Sequence, residues 1–197
     1  MIKQSYIIFL VLLAILNYNS CSYFLREPGR PPKVGEEPVS DNLRKIYVHN
    51  FQNHSYGPAI HIMLTQALKS EIDRRGRFIQ TREKSEAAYR LYGAVSHYQK
   101  TGNLMDAGNQ HISSEITAVV KLEIQENGGE KLLLERDEIM ARAYYSDQIG
   151  YRESEEQAQS RLMNNLAIRI SKESENAWYY HVKEKYYKNV EKKSENE

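Results

Sequence analysis

Apolar residues along this chain switch between two spacings, and the switches mark its elements. Lys45 to Phe51 alternates, with Ile46 and Val48 on one side and Tyr47, His49 and Phe51 on the other, which predicts a first strand. A turn over Gln52 to Gly57 leads through Pro58, a residue suited to a first helical position, into a helix from Pro58 to Arg75. In that helix Ile60, Leu64, Leu68 and Ile72 recur every four residues, flanked by Met63 and Ala67. Arg74 and Arg75 suit a helix C-terminus and Gly76 ends it. A strand over Ala87 to Lys100 places Tyr89, Leu91, Gly93 and Val95 on one face, with Ala88, Tyr92, Ala94 and Tyr98 on the other.

The clearest alternation is Ile112 to Gln125: Ile112, Ile116, Ala118, Val120, Leu122 and Ile124 face one way, polar and charged residues the other. Asn127-Gly128-Gly129 predicts a hairpin turn, because these residues tolerate positive φ. Lys131 to Tyr145 returns as the partner strand, its period blurred by Leu132-Leu133-Leu134. From near Ser154 a second helix repeats every four residues at Ala158, Leu162, Leu166 and Ile170. The order β-α-β-β-β-α predicts an α+β domain over residues 43–171, a four-stranded, mainly antiparallel sheet with two helices packed on one face. Beyond Ser171, Trp178, Val182, Tyr186 and Val190 can continue a helical stripe, but Lys192 to Glu197 is wholly polar. Residues 172–197 therefore read as an aromatic and charged tail, partly disordered.

The chain start points to a compartment. Lys3 precedes an unbroken apolar run from Tyr6 to Leu16, and Asn17 to Ser20 turn polar before Cys21, the chain's single cysteine. A run of this length reads as a signal peptide, about 7–15 apolar residues, rather than a span of roughly 20. A thiol directly after such a region and a small residue is where a bacterial lipoprotein takes its diacylglyceryl group, so residues 1–20 read as a lipoprotein signal and Cys21 as the lipidation site. The box before it is relaxed, with Tyr18 where leucine is usual. The other reading is a secretory signal followed by an incidental cysteine. Ser22, rather than aspartate, follows Cys21, which in the common bacterial sorting pattern directs the product to the outer membrane. Pro28, Gly29, Pro31, Pro32, Gly35 and Pro38 make residues 21–42 a semi-rigid tether.

Charge and chemistry narrow the function classes. Against 26 Asp and Glu stand 27 Lys and Arg, a net charge of +1, which lacks the strongly basic face that nucleic acid requires. Fifteen tyrosines against four phenylalanines suggest surfaces half apolar and half wet. His49, His54 and His61 gather near the first strand and helix at spacings that match no metal pair. No nucleophile elbow, phosphate loop or dinucleotide fingerprint is present, and Cys21 is taken by the anchor, so no enzyme, metal or cofactor is expected. One cluster has chemistry to offer. Arg74, Arg75, Arg77, Arg82 and Lys84 could fork onto phosphate, or could simply cap the helix and be neutralised by Glu71, Asp73, Glu83 and Glu86.

Ile46-Tyr-Val-His-Asn-Phe-Gln-Asn-His-Ser-Tyr-Gly-Pro58 resembles the opening strand and turn of the lipopolysaccharide-assembly lipoprotein family LptE. Leu64-Thr-Gln-Ala-Leu68 with Glu71, then Gly76-Arg-Phe78, is similar to that family's helix and exit, and Leu91, Gly93, Val95 and Tyr98 to its second strand. The hairpin at Gly129 and the closing helix with Ala158, Leu162 and Ile170 fit as well, so the resemblance covers roughly Cys21 to Ser171. It implies a non-enzymatic outer-membrane lipoprotein that plugs the lumen of the LptD β-barrel and assists lipopolysaccharide transport. On that reading lipopolysaccharide would meet Arg74, Arg75, Arg77 and Lys121, on the helix exit and the polar strand face. Two rivals stand beside it: a free-standing envelope lipoprotein binding a ligand or polymer outside any export complex, and a hydrolase whose acids converge only in the folded chain.

Overall fold

The computed structural model describes residues 31–35, 37–105, 111–146 and 153–194. Cys21 and the apolar run before it lie outside them. The elements are β1 (Lys33–Val34), β2 (Glu37–Pro38), β3 (Lys45–Val48), β4 (Gln52–Asn53), α1 (Ile60–Arg75), β5 (Ile79–Gln80), β6 (Tyr89–Met105), β7 (His111–Glu126), β8 (Glu138–Ser146) and α2 (Glu155–Ser194).

The expected two layers are present, with a different sheet. It has six strands in the order β5-β3-β6-β7-β8, β4 adding to β6, and it is mixed. β3 runs parallel to both β5 and β6, while β6-β7-β8 is the expected antiparallel meander. The parallel pairing follows from α1, which carries the chain back to its starting end before β6 begins. The extra strands β4 and β5 are two residues each, too short to leave a period in the sequence.

Each long strand buries one face. Ile46 and Val48, Tyr89, Leu91 and Val95, Ile116 to Ile124 at every second position, and Ile139, Ala141, Ala143 and Tyr145 are all buried. Against them lie the apolar stripes of α1 (Ile60, Leu64, Leu68, Ile72) and α2 (Ala158, Leu162, Leu166, Ile170), every member at most 1% exposed. Two irregularities decide what enters this core. The expected strand Lys45 to Phe51 stops at Val48 and resumes as β4, and the intervening buckle turns Phe51 inward, where its N–H donates to Thr65 Oγ1 at 3.0 Å. Its ring lies on Gly93, where a Cβ would come within 2.3 Å of Phe51 Cε2. In β6 the register shifts between Val95 and His97. The bulge reverses the alternation, so Tyr98, expected on the outer face, packs against the core and accepts a hydrogen bond from Gln159 at 2.8 Å.

The helix ends depart from expectation in instructive ways. α1 begins at Ile60, not at Pro58, after Ala59 in the left-handed region (φ 55°). The turn before it is held by Asn53, whose Oδ1 accepts from Ser55 N at 3.0 Å and whose Nδ2 donates to Gly57 O at 2.7 Å. At its other end Gly76 (φ 63°) donates to Ile72 O at 3.1 Å, the αL cap the sequence announced. α2 opens with a reciprocal capping box, Gln157 N to Ser154 Oγ at 3.2 Å and Ser154 N to Gln157 Oε1 at 3.0 Å. β8 starts at Glu138; of the preceding stretch Lys131 makes a single bridge to Gln125, and Leu132 is buried while Leu133 is 91% exposed.

The largest difference is at the two ends of the domain. α2 continues without a break from Glu155 through Ser171 to Ser194, with Ser171, Ser174, Ala177, Trp178 and Val182 buried. Trp178 is fully buried, 5.1 Å from the Phe78 ring, and donates Nε1–H to Leu43 O at 2.8 Å. The expected tether is folded from Pro32 onward: β1 and β2 pair as a small antiparallel ribbon, Val39 N–H donates to Pro32 O at 2.9 Å, and Val34 and Val39 join the core.

Candidate functional site

Three members of the predicted basic cluster, Arg74, Arg75 and Arg77, come together at the exit of α1, where the last helical turn, the Gly76 cap and the segment after it converge; Lys84 stands instead near His49. Each arginine there meets carboxylates. Arg74 forks onto Glu71, one turn earlier, with Nε and Nη2 both 2.7 Å from its oxygens. Arg75 forks onto Glu175 of α2 at 2.6 Å on each arm, and Arg77 Nε stands 3.6 Å from the same carboxylate. Arg44 closes the cluster, donating to Gly76 O at 2.8 Å, Arg77 O at 2.9 Å and Asp41 Oδ1 at 2.7 Å. The hydrogen bond from Arg74 holds the Glu71 carboxyl below the ordinary carboxylate range, against the opposing pull of burial, and bonding to Glu175 raises Arg75 further above the usual guanidinium value.

Burial sorts these groups. Glu71 and Glu175 are buried, whereas the Arg74 side chain is 67% and the Arg77 side chain 49% exposed. The cluster is therefore a carboxylate-anchored arginine platform whose outer guanidinium edges face solvent. Of the neutralising acids expected from sequence, Glu71 takes its part. Glu175, which lies 100 residues from Arg75, was not legible as a partner. Its signal was present only in the stripe that runs past Ile170 through Ser174, Ala177 and Trp178, which puts Glu175 on the flank of a buried helix face.

Lys121 does not join the arginines. It alternates with buried Val120 and Leu122, so it projects from the sheet face opposite the helices, where it pairs with Glu138 at 2.9 Å. On that outer face His49 stacks on Tyr92 with centroids 4.1 Å apart, and Tyr47 meets His49 edge-on at 4.7 Å. Burial, then the nearby Lys84 and Arg90, keep His49 below the ordinary imidazole value. His54 bonds to Gln52 at 3.1 Å, a contact separate from the His49 stack.

Among the described residues one group has metal-type donors, Glu126, Glu130 and His181, whose ligand atoms lie within 4.8 Å of one another. Lys185 Nζ already stands there, 2.5 Å from Glu126 and 3.6 Å from Glu130, and supplies the counter-charge an ion would bring. A cleft of about 470 Å³ between β8 and α2 is lined by Arg136, Arg169 and Lys172 together with Glu135, Glu138 and Glu173. It holds the sheet's open edge in place: Arg169 donates to Met140 O at 2.7 Å, and Glu173 accepts the N–H groups of Glu135 and Arg136 at 2.6 and 3.0 Å.

Comparison with known proteins gives this arrangement a family. The family described as LptE, lipopolysaccharide-assembly, matches residues 43–172, from the end of the folded tether into the middle of α2. No curated protein matches the chain. Among solved structures the chain is similar to a minor lipoprotein of Acinetobacter baumannii, at 15% identity and a TM-score of 0.45, covering 68% of this chain and 94% of that one. It is also similar to protein XCC0632 of Xanthomonas campestris, at 8% identity and a TM-score of 0.48, over 70% and 87% of the two chains. A putative lipoprotein of Caulobacter crescentus aligns at 15% identity with a TM-score of 0.39, over 72% and 93%. With the family match spanning most of the folded domain, the chain belongs to the LptE lipopolysaccharide-assembly family.

Proposed function

We propose that this protein is a non-catalytic outer-membrane lipoprotein, acylated at Cys21, that forms a complex with the LptD β-barrel and assists the transport and insertion of lipopolysaccharide. The observation that carries the proposal is the family match over residues 43–172. The architecture is suited to the role. A small domain whose outer sheet face carries Tyr47, His49, Tyr92, Lys121 and Arg142 can meet a polar barrel lumen through wet aromatic and charged contacts.

Lipopolysaccharide would be met at the arginine platform. Arg74 and Arg77 keep exposed donors after their carboxylate contacts, and guanidinium forks suit phosphate. Arg75 is held inward by Glu175 and acts mainly to fix the platform, and Lys121 offers a separate contact on the outer sheet face. Depletion of the protein from its host should leave newly made lipopolysaccharide inaccessible to reagents added outside the cell; unchanged surface delivery would sink the reading. Replacing Arg74 and Arg77 by alanine should weaken lipopolysaccharide binding by the purified protein, and unchanged binding would remove the platform from the site.

A further inference from the structure

We infer that the second half of α2, from Tyr180 to Val190, is a membrane-contacting face that lies in the headgroup layer of the bilayer holding the lipid anchor. The inference rests on the reading of Cys21 as that anchor and assigns a role to a stretch of helix beyond the residues that match the family. On this stretch Trp178, Val182 and Tyr186 turn toward the domain. Tyr180, Lys183, Tyr187 and Val190 follow one another at spacings of three and four on the other side, and form one stripe. Tyr180 is 67% exposed and Tyr187 and Val190 each 47%, which leaves apolar and aromatic surface uncovered by the domain.

Two further observations choose the occupant. The folded end of the tether docks on this same stretch: Gly35 lies so close to the Tyr186 ring that a methyl group there would stand 3.4 Å from Cε1, and Val34 is buried in the core. The chain outside the described residues thus joins the domain beside this stretch, and the ten or so residues between Cys21 and Pro31 can span at most about 35 Å. The chemistry of the stripe is also that of an interface. Tyrosine rings with a wet hydroxyl sit at headgroup level. Lys183 lies 6.0 Å over the Tyr187 ring, with no carboxylate at ion-pair distance among the described residues, and is left to meet lipid phosphate. Lys188 is spent on Glu184 at 2.7 Å and Lys185 on Glu126, so the uncommitted charge on the stripe is positive.

The test uses the full acylated protein reconstituted in vesicles of phosphatidylethanolamine and phosphatidylglycerol, without any barrel. Acylation blocks the only native thiol, so Tyr187→Cys accepts a single nitroxide label; Asn164→Cys, exposed on the first half of α2 and about 35 Å away along the helix, is the reference. The Tyr187 label should be several-fold less accessible to a water-soluble nickel relaxant than the Asn164 label. Equal accessibility in a chain that floats with the vesicles overturns the inference and leaves a protein partner as the occupant of the stripe. A chain whose Cys21 itself takes the label and that does not float overturns the anchor reading, and this inference with it.

Discussion

Trp178→Ala tests whether the helix beyond Ser171 is part of the fold. The indole is fully buried, packs at 5.1 Å on Phe78 and donates to the Leu43 carbonyl at 2.8 Å, so one side chain ties α2 both to the exit of α1 and to the segment before β3. Truncating a buried tryptophan to alanine costs about 3–5 kcal/mol, because the lost transfer free energy is compounded by the cavity left behind. The hydrogen bond adds a smaller amount, about 1 kcal/mol net for a bond of this kind. A loss of about 4 kcal/mol in a domain of this size corresponds to a fall in Tm of roughly 8–16 °C. Urea unfolding followed by far-UV circular dichroism measures it, with Trp178→Phe, which keeps most of the ring, expected to lose about half as much or less. Because Trp178 is the only tryptophan, native fluorescence gives a second reading: emission should be blue-shifted and move red on unfolding. A loss below about 0.5 kcal/mol, the range of ordinary surface substitutions, would refute the docking of this half of the helix.

Three other perturbations reach different parts of the account. Gly93→Ala places a Cβ 2.3 Å from the buried Phe51 ring and should destabilise by about 1–3 kcal/mol; Phe51→Leu in the same chain should recover part of it, and an additive pair in the urea series would show that the two do not touch. Glu175→Ala leaves the inward guanidinium of Arg75 without its carboxylate and should cost about 2–3 kcal/mol, less than for a fully buried pair because Arg75 is 27% exposed; a change under a few tenths would show that the platform is solvated. Glu71, whose carboxyl is held below its ordinary value by Arg74, binds a proton more weakly folded than unfolded, so its stabilising contribution is complete above the ordinary carboxylate range. That contribution is lost as pH falls through the depressed native value, and Glu71→Gln should flatten the acid limb of a urea-midpoint-against-pH series; an unaltered limb would contradict the assignment.

What the sequence disclosed followed the strength of its periods. The four-residue stripe of α1 and the alternation of β7 stand at the expected places because one face of each is continuously buried. β4 and β5 were invisible because two-residue strands carry no period, and with them went the parallel pairing of β3. Tyr98 was assigned to the wrong face because a bulge after Val95 resets the alternation without leaving a mark in residue type. The helix runs on past Ser171, where the domain was read to end, and its buried stripe passes there through small and polar residues, Ser171, Ser174 and Glu175, before Trp178 restores it. The arginine cluster was legible as a cluster. Its main counter-charge was not, since Glu175 reaches it only through the packing of α2 on α1.

The central claim is a place in the lipopolysaccharide-export complex, and its most direct test is gentle detergent extraction of envelopes carrying a C-terminally tagged copy, followed by identification of what co-purifies. The account predicts one large β-barrel in equal amount. An acylated protein that elutes alone would keep the lipoprotein and contradict the export role, and a free-standing envelope binding protein would take its place.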